Sequence, residues 1–237
     1  MEEVKVDETL ARTKCGISCI DDLMGGGIES GIITELYGEG GSGKTNLSMI
    51  FSCSVMNSGM KVIYIDSEGF SSERFLNICS SDLKKFKLYR VFSLDDQEVA
   101  IMKAAKIIEK DENYGMLIID SFTEFFRLER SDDFQSRISE IQKQLSIISS
   151  IAARRKIPVL ITNQIYQDIE NKNLIPFGGF AVDHIMKAIY SMEKLKNGRR
   201  RISVIKHRSI KDGMSTDFTI TDSGIECGGV SNGNGHI

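Results

Sequence analysis

The sequence predicts an α/β protein: a mainly parallel sheet with helices on both faces, extended at its C-terminal end by an antiparallel hairpin. Three observations point there. Short β-rich runs alternate with helix-patterned stretches, the arrangement that parallel neighbours and their crossovers require. A glycine-rich loop, Gly38-Glu39-Gly40-Gly41-Ser42-Gly43-Lys44-Thr45, ends one apolar run and opens a helical one. Near the end, Lys196-Asn197-Gly198 separates two β-like runs, and Asn-Gly is a strong short-hairpin signal.

The elements follow in chain order. Residues 32–38 form a short apolar run closed by glycine, a strand. Residues 45–57 carry Leu47, Ile50, Phe51, Ser54 and Val55 at helical spacing. KVIYID, residues 61–66, is β-rich, and residues 88–92 make a weaker strand. Residues 97–109 predict a helix whose apolar face is Val99, Ile101, Met102, Ala105 and Ile108. MLIID, residues 116–120, reads as a buried strand, residues 134–155 as a long helix, and residues 157–162 as another strand. Residues 185–195 and 199–206 are the two arms of the hairpin. One domain over residues 1–227 is expected, with residues 228–237 a flexible polar tail.

Composition narrows the function. The chain has 237 residues, 41% hydrophobic and 27% charged, with a net charge of −3. That is ordinary globular composition, enough for one sizeable core. The overall charge does not announce nucleic acid, so any basic surface is local: Arg154-Arg155-Lys156, Arg199-Arg200-Arg201 and Lys206-His207-Arg208. The acidic start is no signal peptide, and no apolar run approaches membrane-spanning length. The five cysteines are scattered, and reduced thiols in a cytoplasmic protein are expected.

The loop at 38–45 fits the phosphate-binding pattern G-x-x-x-x-G-K-[ST]. Glycines let successive backbone N–H groups converge on a phosphate, and the following helix adds its own free donors. Lys44 reaches the β- and γ-phosphates, and the Thr45 hydroxyl ligates Mg²⁺. Asp120 ends an apolar strand and completes the Mg²⁺ shell. Glu68 lies just past a different strand, where a carboxylate orients or deprotonates the attacking water. ATP and Mg²⁺ are the expected cofactors.

Taken in order, TKCGISCIDDLMGGGIESGIITELYGEGGSGKTNL, YIDSEGFSSERF, LIIDSFTEFFR, VLITNQI and GGFAVDHIMKAIYSMEK run through nearly the whole chain. This set resembles the RecA-like recombinases, specifically their archaeal and eukaryotic branch. The resemblance implies a RecA-like P-loop ATPase core. It places the catalytic glutamate at Glu68, an adenine-packing arginine at Arg74, a γ-phosphate sensor at Gln164 and a second sensor at His184. It makes residues 165–177 the second DNA-binding loop and about 129–137 the first, both mixed in charge. It presents Lys206 and Arg208 to a neighbouring subunit's γ-phosphate. Bland readings stand beside these: a Gln satisfying backbone groups, a structural His, a basic strand end. The implied protein lacks the family's N-terminal helical DNA-binding domain and its Phe-x-x-Ala linker segment, so a monomer or dimer is expected. The implied function is a weakly ATP-hydrolysing, DNA-binding assistant of homologous recombination. Its partners would be DNA, single-stranded by preference and at modest affinity, and a RadA-type recombinase. The alternative is a KaiC-like regulatory ATPase acting on proteins.

Overall fold

The structure, a computed structural model, describes residues 10–128, 134–167, 174–176 and 185–228. A two-residue ribbon comes first: β1 (Arg12–Thr13) pairs antiparallel with β2 (Ile28–Glu29), and α1 (Ser18–Leu23) lies between them. Asp21 ties α1 to the chain before it, its carboxylate accepting from the N–H groups of Cys15 (2.8 Å) and Gly16 (2.9 Å).

The central sheet is built on β3 (Ile33–Gly38), which runs into the glycine loop and then α2 (Lys44–Asn57). After it come β4 (Lys61–Asp66), α3 (Ser72–Ile78), β5 (Phe86–Arg90), α4 (Leu94–Lys110), β6 (Tyr114–Asp120), α5 (Glu124–Leu128), α6 (Phe134–Arg155) and β7 (Val159–Gln167). The strands β9, β3, β7, β6, β4 and β5 lie side by side in that order, where β9 is Ala188–Lys194, and every adjacent pair is parallel. The short β8 (Leu174–Pro176) pairs antiparallel with the far end of β7.

Strand residues alternate between two cores, as the pleat requires. Leu36, Tyr64, Ile118 and Leu160 pack on the α2 side, and Ile33, Ile63, Leu117 and Ile161 on the side of α4 and α6. Helices therefore cover both faces, as expected. Beyond β9 the sheet turns antiparallel through β10 (Arg199–His207), β11 (Ser215–Thr221) and β12 (Gly224–Cys227). The expected hairpin is present: Asn197 (φ 60°) and Gly198 (φ 75°) adopt the positive φ that a tight hairpin turn demands. It is the first half of a four-stranded extension, whose last two strands the sequence reading did not predict.

Four expectations are corrected. The weak strand at 88–92 is instead β5, two residues earlier, because pairing with β4 sets its register from Val62↔Phe86 to Asp66↔Arg90. Helix α4 buries Gln97, Ala100, Ile101, Ala104 and Ile108, while Val99 and Met102 are 47% and 42% exposed. Ile101 and Ile108 are buried as expected, but the face is completed by Gln97, Ala100 and Ala104 in place of Val99 and Met102. The strand expected to stop at 162 continues to Gln167, so Gln164 lies within β7. The thiols expected to be reduced are paired as disulfides, Cys19–Cys227 and Cys53–Cys79, with Cα separations of 5.8 and 5.4 Å. The first pair is 208 residues apart in sequence, a proximity that only folding creates. Cys15 is a buried free thiol. Among the described residues no helix is long and apolar enough to cross a membrane.

Candidate nucleotide-binding site

The site forms where parallel strands end side by side. Register aligns Gly38 of β3 with Gln164 of β7, and Asp66 of β4 with Asp120 of β6. Clefts beyond the carboxyl ends of parallel strands are where such sheets bind ligands.

Close packing fixes the glycine loop. A Cβ on Gly38 would stand 2.0 Å from the Met192 carbonyl oxygen, so β9 leaves no room for any side chain there. Gly43 holds φ 107°, a left-handed conformation that costs other residues, and so sets the entry into α2. Lys44 is buried at the start of that helix, and its Nζ donates to the carbonyls of Gly38 (2.8 Å) and Glu39 (3.0 Å). Burial pushes its pKa down, and the carboxylates of Glu68, Asp120 and Glu39 oppose that shift. Those groups therefore converge on one ammonium. Glu39 also reaches across to β9, its Oε1 accepting from the Lys194 N–H at 3.0 Å.

Asp120 is buried and well supplied with donors. The Tyr64 hydroxyl donates to Oδ2 at 2.5 Å and the Thr162 hydroxyl to Oδ1. Burial, then the Asp120 charge, raises the Tyr64 pKa well above the ordinary phenol value, so the hydroxyl stays a neutral donor. Sequence reasoning missed both partners; the available signal was a phenol inside an otherwise apolar strand.

Glu68 is carried by a loop that Asp66 builds. The buried Asp66 carboxylate accepts from the N–H groups of Glu68 (3.3 Å), Gly69 (3.0 Å) and Phe70 (2.7 Å), with Arg90 Nε at 3.4 Å. Gln164 Nε2 donates to Glu68 Oε1 at 2.8 Å. Partial burial raises the Glu68 pKa, while the Gln164 hydrogen bond pulls it back. Two residues 96 apart in sequence thus meet at the site.

Arg74, on α3, bridges from the P-loop helix to the β11–β12 turn. It donates to Asn46 Oδ1 (2.7 Å) and to the carbonyls of Asp222 (2.6 Å) and Gly224 (3.2 Å). Lys206 and Arg208 lie at the end of β10 and just past it. A bulge interrupts β10 between Val204 and Lys206, and Arg208 forms an ion pair with Glu29 of its own chain. The Glu29 side chain is 0% exposed, and Arg12 pairs with it from the other oxygen at 3.7 Å. In the triple arginine, Arg199 and Arg201 both grip Asp217 at 2.6 Å. His184, most of the expected second DNA-binding loop with Lys172 and Phe177, the expected first loop at 129–133 and the tail at 229–237 lie outside the described residues.

The residues present fit a magnesium nucleotide. The buried Ser42 hydroxyl has no hydrogen-bond partner of its own, and the Lys44 ammonium, at the start of α2, donates to loop carbonyls. Among the described residues no cluster of three or more His, Cys, Asp or Glu could cage a metal. Mg²⁺ is a cation that protein sites of this kind hold through one or two side chains plus substrate phosphates; Thr45 and Asp120 are the side chains that would hold it.

A RecA-like P-loop core with a carboxylate and an amide converging beside the loop is a recombinase-type arrangement, and the comparisons agree. The Rad51 family model matches residues 7–227, and the chain belongs to that family. Within it the similarity is to RadB proteins. The chain is 62% identical to the DNA repair and recombination protein RadB of Thermoplasma acidophilum, over 97% of this chain and 100% of that one. It is equally identical to the Thermoplasma volcanium protein of the same description, over 99% and 100%. A solved structure described as the RadB recombinase superimposes with a TM-score of 0.78 at 30% identity, over 91% of this chain and 99% of that one.

Proposed function

We propose that the chain binds and slowly hydrolyses ATP, binds DNA, and assists homologous recombination and repair as a paralogue of the RadA recombinase. The observation that carries the nucleotide part is the convergence of Lys44, Asp120, Glu68 and Gln164 at the ends of neighbouring strands. Lys44 and the loop amides hold the phosphates, and Thr45 and Asp120 hold Mg²⁺, which supplies charge neutralisation. Glu68 orients the attacking water, and Gln164 couples that carboxylate to β7 and the loop that follows it. Arg74 stands next to Asn46, one residue past Thr45, and suits the base. Lys206 and Arg208 would serve a neighbouring subunit only after Arg208 leaves Glu29, which fits slow turnover by the protein alone.

DNA contact is proposed through the loops after α5 and β7 and the arginines of β10. Because one Asp217 carboxylate faces Arg199 and Arg201, the basic patch has fewer unopposed charges than its sequence suggests. Modest affinity for single strands with a shallow salt slope follows.

The test is a pair of variants. Lys44→Ala weakens binding of a fluorescent ATP analogue by at least about tenfold. Glu68→Gln binds the analogue as the wild type does and loses phosphate release. Hydrolysis at the wild-type rate by Glu68→Gln would remove Glu68 from its role, and anisotropy on a single-stranded oligonucleotide, unmoved by salt, would remove the phosphate-contact model of DNA binding.

A further inference from the structure

A second lysine touches the glycine loop. Lys194 closes β9, and its side chain lies across Gly41. A Cβ built on Gly41 would stand 3.0 Å from Lys194 Cε and 3.1 Å from its Nζ. The position is fixed at the backbone, because the Lys194 N–H donates to the Glu39 carboxylate. The strand is fixed too: Gly38 packs on the Met192 carbonyl, and Gly43 would meet the Met192 side chain at 3.5 Å if it carried a Cβ. Among the described residues the Lys194 ammonium has no carboxylate within ion-pair distance. It is close enough to Lys44 to push that residue's pKa further down. Two cations therefore flank one glycine loop, and among the described residues no carboxylate pairs with the second.

We propose that Lys194 is a phosphate-binding cation of the nucleotide site, supplied from the same chain and selective for the polyphosphate of a nucleoside triphosphate; the inference rests on the nucleotide-binding reading above. An anion in the loop relieves the repulsion between the two ammonium groups and gains a second attraction. Lys194 is exposed, so its pull on the phosphates is screened by salt. An ammonium is a point charge on a flexible stem, able to follow the phosphates as they bind. The competing account is packing alone, with the lysine stem merely covering Gly41.

Two variants separate these accounts. Lys194→Met keeps the stem and removes the charge; Lys194→Arg keeps the charge. Fluorescent analogues of ATP, ADP and AMP are titrated into each, at low and at about 0.5 M salt. Lys194→Met should bind the triphosphate about five- to tenfold more weakly at low salt, an effect of the size expected for one partly screened charge a few ångströms away. The deficit should shrink to about twofold at high salt and be small for AMP. Lys194→Arg should stay within about twofold of the wild type. If Lys194→Met binds ATP as the wild type does, while Lys44→Ala binds it at least about tenfold more weakly, the proposal is overturned and the nucleotide reading stands. Equal losses for ATP and AMP at both salt concentrations would assign Lys194 to loop packing and also overturn it. A wild type that binds none of the three nucleotides removes the underlying reading itself.

Discussion

Glu68 shows how one residue's chemistry is set by its neighbours. Burial favours its neutral form, and the Gln164 amide and Lys44 favour its charged form. The net shift is upward, so the carboxyl takes up its proton at a higher pH than an ordinary glutamate. A role that needs the carboxylate is present above that raised pKa and is lost as pH falls through it. Gln164→Ala removes a hydrogen bond that stabilises the charged form, so it raises the pKa further. The expected outcome is an acid limb of ATP turnover displaced to higher pH in Gln164→Ala, read from a pH–rate profile. An unmoved limb would mean that Gln164 does not act through Glu68. Glu68 and Gln164 were both readable as candidates, one from its place after a strand and the other from a family resemblance. Their contact was not, because it depends on β4 and β7 ending at the same edge of the sheet.

At the scale of elements, β4 contributes most. Tyr64 reaches sideways to Asp120, and Asp66 gathers three backbone N–H groups into the loop that presents Glu68. Asp66→Ala leaves those donors and Arg90 without their acceptor. Hydrogen bonds to a charged group contribute about 1.5–3 kcal/mol each when lost singly, and losses within one network are not additive. The expected cost is about 2–4 kcal/mol in denaturant unfolding. Turnover should fall more than nucleotide affinity, because Lys44 and its loop stand on β3. A variant that loses binding and turnover in proportion would show that the loop does not serve Glu68 alone. The strand itself was legible to the residue, since KVIYID is β-rich and bounded by turns. Its side-chain partners were not: an aspartate ending a strand reads equally as a metal ligand, a cap or a loop builder.

At the scale of the whole molecule, two disulfides join distant parts of the chain. Cys19–Cys227 ties α1 to the last strand, and Cys53–Cys79 ties α2 to the end of α3. Cross-links that close long loops restrict the unfolded chain most, by up to about 5 kcal/mol in the chain-entropy model. Thiol titration of the unfolded, unreduced protein should find Cys15 as the single reactive thiol. Reduction should expose all five and lower the thermal midpoint. Five thiols before reduction would contradict the pairing.

The sequence by itself determined the parallel core, the glycine loop with its lysine and threonine, and the turn at Asn197-Gly198. These are local: periodicity, glycine content and turn chemistry act over a few residues, and each left a readable pattern. Only the tertiary structure decided which side chains meet. It set Arg208 on Glu29, Tyr64 and Thr162 on Asp120, Lys194 across Gly41, and Cys19 beside Cys227. Each of these contacts joins residues from separate strands, helices or loops, so it exists only after strand order and register are fixed. Register in turn follows from burying both faces of the sheet at once, a property of the packed molecule and not of any segment.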